Sequence, residues 1–240
     1  MSASVSAAEL ARSAARGVPA DALEAEGLQR RLAPSVERED RLGEVRLVAG
    51  VDVGYAAHGG EAGEVLHAGI VTLDARTLEV VESVVHADRA RFPYVPGLFS
   101  FRELPPLLEA FERLERRPDL VVCDGQGVAH PRRFGLACHL GLALDLPSVG
   151  CAKSVYVGEA GDPGAARGSS APLVDAGDTV GAALRTQDGV KPVYVSVGHR
   201  VSLDTALAWV LRLAPRYRQP ETTRAADALV RRALREGGSN

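Results

Sequence analysis

Asp52 stands inside one apolar run, VAGVDVGY, and Asp124 closes another, LVVCDGQG. A carboxylate within a buried strand is costly unless something pairs with it. Two of them on neighbouring parallel strands converge at the carboxyl edge of an α/β sheet, where ligands gather. Their mutual repulsion then calls for a cation, and hard carboxylate oxygens favour Mg²⁺ or Mn²⁺ over zinc. Taken singly, each aspartate also reads as a turn or capping residue. Glu103, in SFRELPP, is the candidate third carboxylate. Ser100, three residues earlier, has capping-box spacing to it, and that alternative stays open. Pro105 and Pro106 weaken it by placing the helix start at Pro105. Lys153, in VGCAKS, follows a further apolar strand and reaches the same edge. An ammonium there could neutralise charge developing on a phosphate; the plain alternative is a solvated loop lysine.

Two segments near these residues carry the means of holding a nucleic acid. In RFPYVPGLFS, Pro93 and Pro96 bracket Tyr94 and fix the backbone around an aromatic. Such a tip can stack on a base or enter a base step, and Arg89 and Arg91 upstream could hold phosphates. An ordinary proline turn with its tyrosine packed on the core is the competing reading. In DGQGVAHPRRFG, Gly125 and Gly127 let main-chain groups approach a planar ligand, while His130, Arg132 and Arg133 can meet phosphate.

The elements that must position these groups follow from the pattern along the chain. Leu23, Leu28 and Leu32 mark a helix after Pro19, and VRLVAGVDVGYA marks a strand. HAGIVTLDARTLEVVESVVH reads as a hairpin turning near Asp74–Thr77. A helix over LPPLLEAFERLERR, the short buried strand DLVVCDGQG, a helix over RRFGLACHLGLALD and a strand at PSVGCAKS follow. Strands at TVGAALRT and KPVYVSVG precede helices from Ser202 and Thr222. A three-strand meander followed by helix, strand, helix, strand predicts an α/β, RNase H-like mixed sheet flanked by helices. Residues 1–18 and 158–173 are rich in Gly, Ala, Ser and Pro and read as a flexible terminus and a flexible loop. Residues 19–235 read as one catalytic domain and 236–240 as a flexible end.

The chain has 240 residues, 46% of them apolar, enough for one sizeable core. No run approaches the ~18 apolar residues of a membrane helix, and the N-terminus lacks the apolar stretch of a secretory signal. Cys123, Cys138 and Cys151 are too scattered for a zinc site or a disulfide framework and read as buried cytosolic thiols. The net charge of −3 does not advertise a nucleic-acid binder, but eight arginines after residue 199 leave room for a local basic face. With 26 arginines and two lysines, the chain fits a GC-rich bacterial genome.

Taken together, VAGVDVGY, FPYVPGLFSFRE, DGQGVAHPRRFGLACHLG and PSVGCAKS, in this order, resemble the endonuclease V family. GHRVSLDTA and YRQPETTRAAD continue the resemblance, which spans roughly residues 20–230. It implies an RNase H-like fold and Mg²⁺-dependent hydrolysis of the second phosphodiester bond 3′ to deaminated adenine, leaving a 3′-hydroxyl and a 5′-phosphate. Bacterial members act on deoxyinosine in DNA, and animal members prefer inosine in RNA. By position the resemblance makes Asp52, Asp124 and Glu103 the acidic metal site and Lys153 the site lysine. Tyr94 falls on a strand-separating wedge, and Gly97, Gly125, Gly127, His130 and Gly135 on the base-pocket loops. Some relatives have histidine where this chain has Asp227, so Asp227 receives no role. A DNA-bound, cytoplasmic monomer is the expectation. The rivals are an inosine-specific endoribonuclease, an ATP-dependent sugar-kinase or actin-like protein, and a structure-specific nucleic-acid binding module without chemistry. The second would need a duplicated fold, for which the chain has no repeat; the third is disfavoured by three intact carboxylates.

Overall fold

Apolar, β-branched runs become the central strands, and one of them carries the first aspartate. In the computed structural model, which describes residues 6–56 and 60–237, β1 is Leu47–Tyr55. It pairs antiparallel with β2 (Val65–Asp74), which pairs with β3 (Val80–Arg89). The hairpin turn is set by Asp74, whose Oδ1 accepts from the amides of Arg76 and Thr77. On its other side β1 runs parallel to β4 (Leu120–Cys123), which is fully buried. Next comes β5 (Ser148–Ala152), parallel to β4, then β9 (Val193–His199), antiparallel to β5. The remaining strands are β6 (Glu159–Ala160), β7 (Ser170–Asp175) and β8 (Asp178–Leu184). The complete order is β3-β2-β1-β4-β5-β9-β8-β7-β6. This is the mixed RNase H-like sheet expected, with β1 and β4 central and parallel.

Among the described residues six α-helices flank it: α1 (Ala7–Gly17), α2 (Ala22–Leu32), α3 (Phe99–Phe111), α4 (Leu136–Leu144), α5 (Leu203–Leu213) and α6 (Glu221–Gly237). The close seat of α6 on β1 depends on Gly50, where a Cβ would lie 2.1 Å from the Thr222 carbonyl oxygen. Cys123, Cys138 and Cys151 are buried and free. No helix among the described residues is long and apolar enough to cross a membrane.

Four expectations need correction. Residues 1–18 were read as a loose end, yet residues 7–17 form α1, with residues 1–5 outside the described part. Ser6 and Glu9 make a reciprocal capping box, and Ala11, Ala14 and Ala15 are buried. Alanine is small enough to let α1 lie close against α4, so the contact leaves no large-residue periodicity to read. Residues 158–173 include β6 and the start of β7, which continues the sheet by pairing with β8. This outer part buries little beyond Leu173, so its apolar signal is weak. The connecting turns are pinned by Arg185, whose Nε donates to Gly164 O at 2.6 Å, and Arg167, whose Nη1 donates to Thr186 O at 2.7 Å. At the other end, α6 runs on to Gly237, and residues 238–240 lie outside the described part. Finally, α3 starts at Phe99 rather than at Pro105 and holds both prolines within it. Each proline removes a helix hydrogen bond, but burial of Phe101, Leu104, Leu107 and Leu108 outweighs that local cost.

The docking of α1 has a measurable consequence. His139 is fully buried, and its Nε2–H donates to Ala11 O at 3.1 Å while Nδ1 meets Ser100 Oγ at 3.1 Å. Burial pulls its pKa down to about 4, so the ring is neutral. Arg12 adds hydrogen bonds to Ala143 O. Deleting residues 1–17 orphans these groups and uncovers the α3–α4 surface. The expected result is a loss of about 3 kcal/mol or more in chemical denaturation, with a matching fall in melting temperature.

Candidate active site

The parallel register of β1 and β4 pairs Val51 with Cys123, and so sets Asp52, within β1, level with Asp124 just past the end of β4. Side-chain alternation puts Asp52 on the face of Gly50, where α6 packs. Burial, then the charge of Asp124, then that of Asp227 push the Asp52 carboxyl up to about 7. Lys153, just beyond β5, places its Nζ 2.6 Å from Asp124 Oδ2. Partial burial pulls the lysine down, but the Asp124 hydrogen bond and the charges of Asp124, Asp52 and Asp227 reverse this and hold it protonated. The Lys153 main chain is fixed from below by Arg218, whose Nη2 donates to Lys153 O at 2.6 Å and Pro192 O at 2.7 Å.

Glu103 joins this cluster from α3. The capping-box alternative is not what forms: Ser100 Oγ is engaged with His139, and Glu103 Oε1 accepts from the Tyr55 hydroxyl at 2.6 Å. Glu103 is only 3% exposed. Its carboxyl lies well above the usual range because burial, reinforced by Asp52 and Asp124, outweighs the help of Tyr55 and Arg102. Arg102 is also buried; it pairs with Glu64, donates to Phe92 O at 2.8 Å and stacks over the Tyr55 ring at 4.8 Å. It therefore ties Glu103's partner to the base of the Pro93–Pro96 segment.

That segment lines a cavity of about 340 Å³ that is also bordered by Gly125 and Ser154, the residues after Asp124 and Lys153. Tyr94, Pro96, Gly97, Gly125, His130 and Gly135 all border it, as do Gln29 and Tyr156. Tyr94 is 56% exposed and meets Phe99 edge-on, so it is not a core tyrosine. Gly97 has φ +80°, a left-handed conformation that glycine adopts without strain. Its carbonyl accepts from Gln29 Nε2 (2.9 Å), Arg132 Nη2 (2.9 Å) and His130 Nε2 (3.0 Å). His130 Nδ1 in turn accepts from the Arg132 amide at 3.2 Å, placing the ring proton on Nε2. Burial, then Arg132, pulls the His130 pKa down to about 4, so at neutral pH it anchors the loop as an uncharged ring. Gly127 and Pro93 do not border the cavity. Gly127 lies beneath it, where a Cβ would fall 1.9 Å from Val197 O.

The arginines offered for phosphate are largely engaged within the fold. Arg89 Nη1 donates to Gly63 O, Arg91 bridges Asp88 and Glu109, Arg132 serves Gln29 and Gly97, and Arg133 pairs with Asp175 at 2.7 Å. Sequence reasoning missed Tyr55, Arg102, Gln29, Tyr156 and Arg218, and assigned nothing to Asp227. Tyr55 and Arg102 were visible as neighbours within the Asp52 and Glu103 motifs. Gln29, mid-helix and far away in the chain, gave no signal.

The acidic residues fit a divalent cation. Glu103 is buried and Asp52 half-buried, both with raised pKa values, and Lys153 is the nearby positive charge facing Asp124. Hard carboxylate donors with unbalanced negative charge are what such an ion compensates. Their donor atoms are not drawn into one tight group: among the described residues the triad within 4.8 Å is His86, Asp88 and Glu109, elsewhere on α3 and β3.

An RNase H-like sheet that brings these carboxylates and a lysine to the carboxyl ends of its central strands is the frame of a nuclease. The endonuclease V family model matches residues 30–228. Endonuclease V of Streptomyces avermitilis is 57% identical over 189 residues, 79% of this chain and 81% of that one. A crystal structure of endonuclease V from that organism has a TM-score of 0.87 at 51% identity, covering 93% of this chain and 97% of that one. Ciona intestinalis endonuclease V, crystallised with a 24mer DNA containing an inosine followed by a ribo-adenosine, has a TM-score of 0.77 at 25% identity, covering 89% and 98%. The chain belongs to the endonuclease V family, a family of metal-dependent nucleases.

Proposed function

We propose that this chain is a DNA repair endonuclease directed to deoxyinosine. It hydrolyses the second phosphodiester bond 3′ to the lesion, with Mg²⁺ as its ion and Mn²⁺ able to substitute, and leaves a 3′-hydroxyl and a 5′-phosphate. The observation that carries the reading is the cavity between the exposed Tyr94 tip and the Gly125–Gly135 loop, bordered by Gly125 and Ser154, which follow Asp124 and Lys153 in the chain. A base turned out of the stack has a place to sit, and its 3′ strand has acids beside it. The inosine-bearing DNA bound by the Ciona relative supports the same substrate.

Asp52, Asp124 and Glu103 would hold the ion, which when bound supplies Lewis acidity at the phosphoryl oxygen and lowers the pKa of a water. Glu103, kept in place by Tyr55, orients the attacking water for in-line displacement. Lys153 offers a fixed positive charge to the phosphate as its negative charge grows. Tyr94 fills the gap left in the duplex, and the wedge segment keeps its shape because three side chains hold the Gly97 carbonyl. Hypoxanthine lacks adenine's exocyclic amine, so main-chain groups of the Gly125–Gly127 loop can discriminate by its edge. The chain acts as a monomer in the cytoplasm.

Substrate class is tested with matched oligonucleotides carrying one deoxyinosine or one inosine, in the same buffer at stated salt. The DNA is expected to be cut preferentially. Preferential cutting of the RNA would replace the DNA assignment with an inosine endoribonuclease and leave the acidic site standing.

A further inference from the structure

A second group of donor atoms lies on the far turn of α3. His86 and Asp88 share one face of β3, the outer strand of the sheet, and Glu109 faces them from α3. One ligand atom from each lies within 4.8 Å of the others. His86 is 9% exposed, and its buried Nε2 has no hydrogen-bond partner. Yet that nitrogen is 2.8 Å from Glu109 Oε2, so the two atoms touch without hydrogen-bond geometry. A tetrahedral cation ~2.1 Å from each of two donors holds them roughly 3.4 Å apart and off one another's hydrogen-bond axis, so binding needs this pair to part only slightly. Arg91 spans the rear of the group, with Nη2 at 3.0 Å from Asp88 Oδ2 and 2.7 Å from Glu109 Oε1. It orients both carboxylates and leaves Oε2 of Glu109 turned to the histidine, as an outer partner does around a metal.

We propose that His86, Asp88 and Glu109 form a second metal site that takes zinc. One imidazole with two carboxylates suits a borderline ion, whereas the all-carboxylate set at Asp52 suits Mg²⁺. A bound zinc joins α3 to β3 three residues before Arg91 and the wedge segment, and six residues along α3 from Glu103. It stiffens the frame between recognition and chemistry without entering either. An ordinary His86–Glu109 ion pair is the competing account.

The test uses the full chain with Asp52→Asn and Asp124→Asn, which removes two of the three carboxylates of the catalytic site as zinc ligands. Calorimetric titration is expected to show one zinc per chain, undiminished by a large excess of Mg²⁺. Zinc-edge X-ray absorption is expected to show imidazole scattering. Adding His86→Gln is expected to weaken zinc binding at least about tenfold. Glu109→Gln, on the helix surface, serves as a parallel variant should His86→Gln misfold. Unchanged zinc affinity in the folded variants, an all-oxygen zinc shell, or no saturable zinc uptake would each overturn the site in favour of the ion pair.

Discussion

Asp52→Asn and Asp124→Asn are each expected to abolish cleavage, by about 10³-fold or more, while the protein stays folded. The register between β1 and β4 sets these two carboxylates level, with Lys153 as a single counter-charge. Neither packs as a core residue, so the isosteric amide leaves no cavity. Asp52→Asn should also stabilise the metal-free protein. Its folded pKa of about 7 lies above the unfolded value, so ionising it in the fold costs free energy. That cost is absent below the unfolded pKa, grows as pH rises and is complete above about 7. The variant should therefore gain about 1–3 kcal/mol at pH 8 and almost nothing at pH 4. Mg²⁺ should raise the melting temperature of the wild-type chain and leave that of Asp52→Asn nearly unmoved. Melting curves at the two pH values, with and without Mg²⁺, check the sign. Wild-type turnover by either variant would move the chemistry elsewhere.

Tyr94→Ala should weaken binding to a deoxyinosine duplex by about 1–3 kcal/mol, the range seen for loss of aromatic stacking on a base. More than half of the tyrosine is exposed, and its neighbours Pro93, Pro96 and Gly97 shape a rigid tip rather than a core contact. Melting temperature and Mg²⁺ response should hardly change, since the tip carries no carboxylate. The loss should shrink on single-stranded substrate, where no partner strand has to be parted. Equal losses on duplex and single strand, accompanied by a lower melting temperature, would make Tyr94 a packing residue.

The central sheet was legible because β1, β2, β4 and β5 are long or fully apolar runs with clear breaks, and the aspartates within and after them stood out. Legibility failed where the physical signal was small or non-local. The helix α1 packs through alanines, so it resembled a loose tail in composition. β7 sits in the outer sheet with Leu173 as its one buried position, and its Gly- and Ser-rich approach resembled a loop. The prolines in α3 argued for a later helix start, and only the surrounding burial of that face shows why the helix tolerates them. At the candidate site, the charge of Asp124 raises the pKa of Asp52, Glu103 and Lys153, and most of the proposed pocket residues share one cavity. Asp227 was ambiguous in sequence because its meaning depends on α6 lying against Gly50 of β1. His86 and Glu109 gave no hint, since two separate elements bring them together.

The most direct test of the nuclease account is nick mapping on an end-labelled duplex carrying one deoxyinosine. The undamaged duplex serves as control, and both are incubated with Mg²⁺ and with chelator. The account predicts one Mg²⁺-dependent nick in the inosine strand, at the second phosphodiester bond 3′ to the lesion. The product should carry a 3′-hydroxyl and a 5′-phosphate, and the undamaged duplex should stay intact. Equal cutting of both duplexes, cutting in chelator, or no nick by folded protein in Mg²⁺ would contradict it.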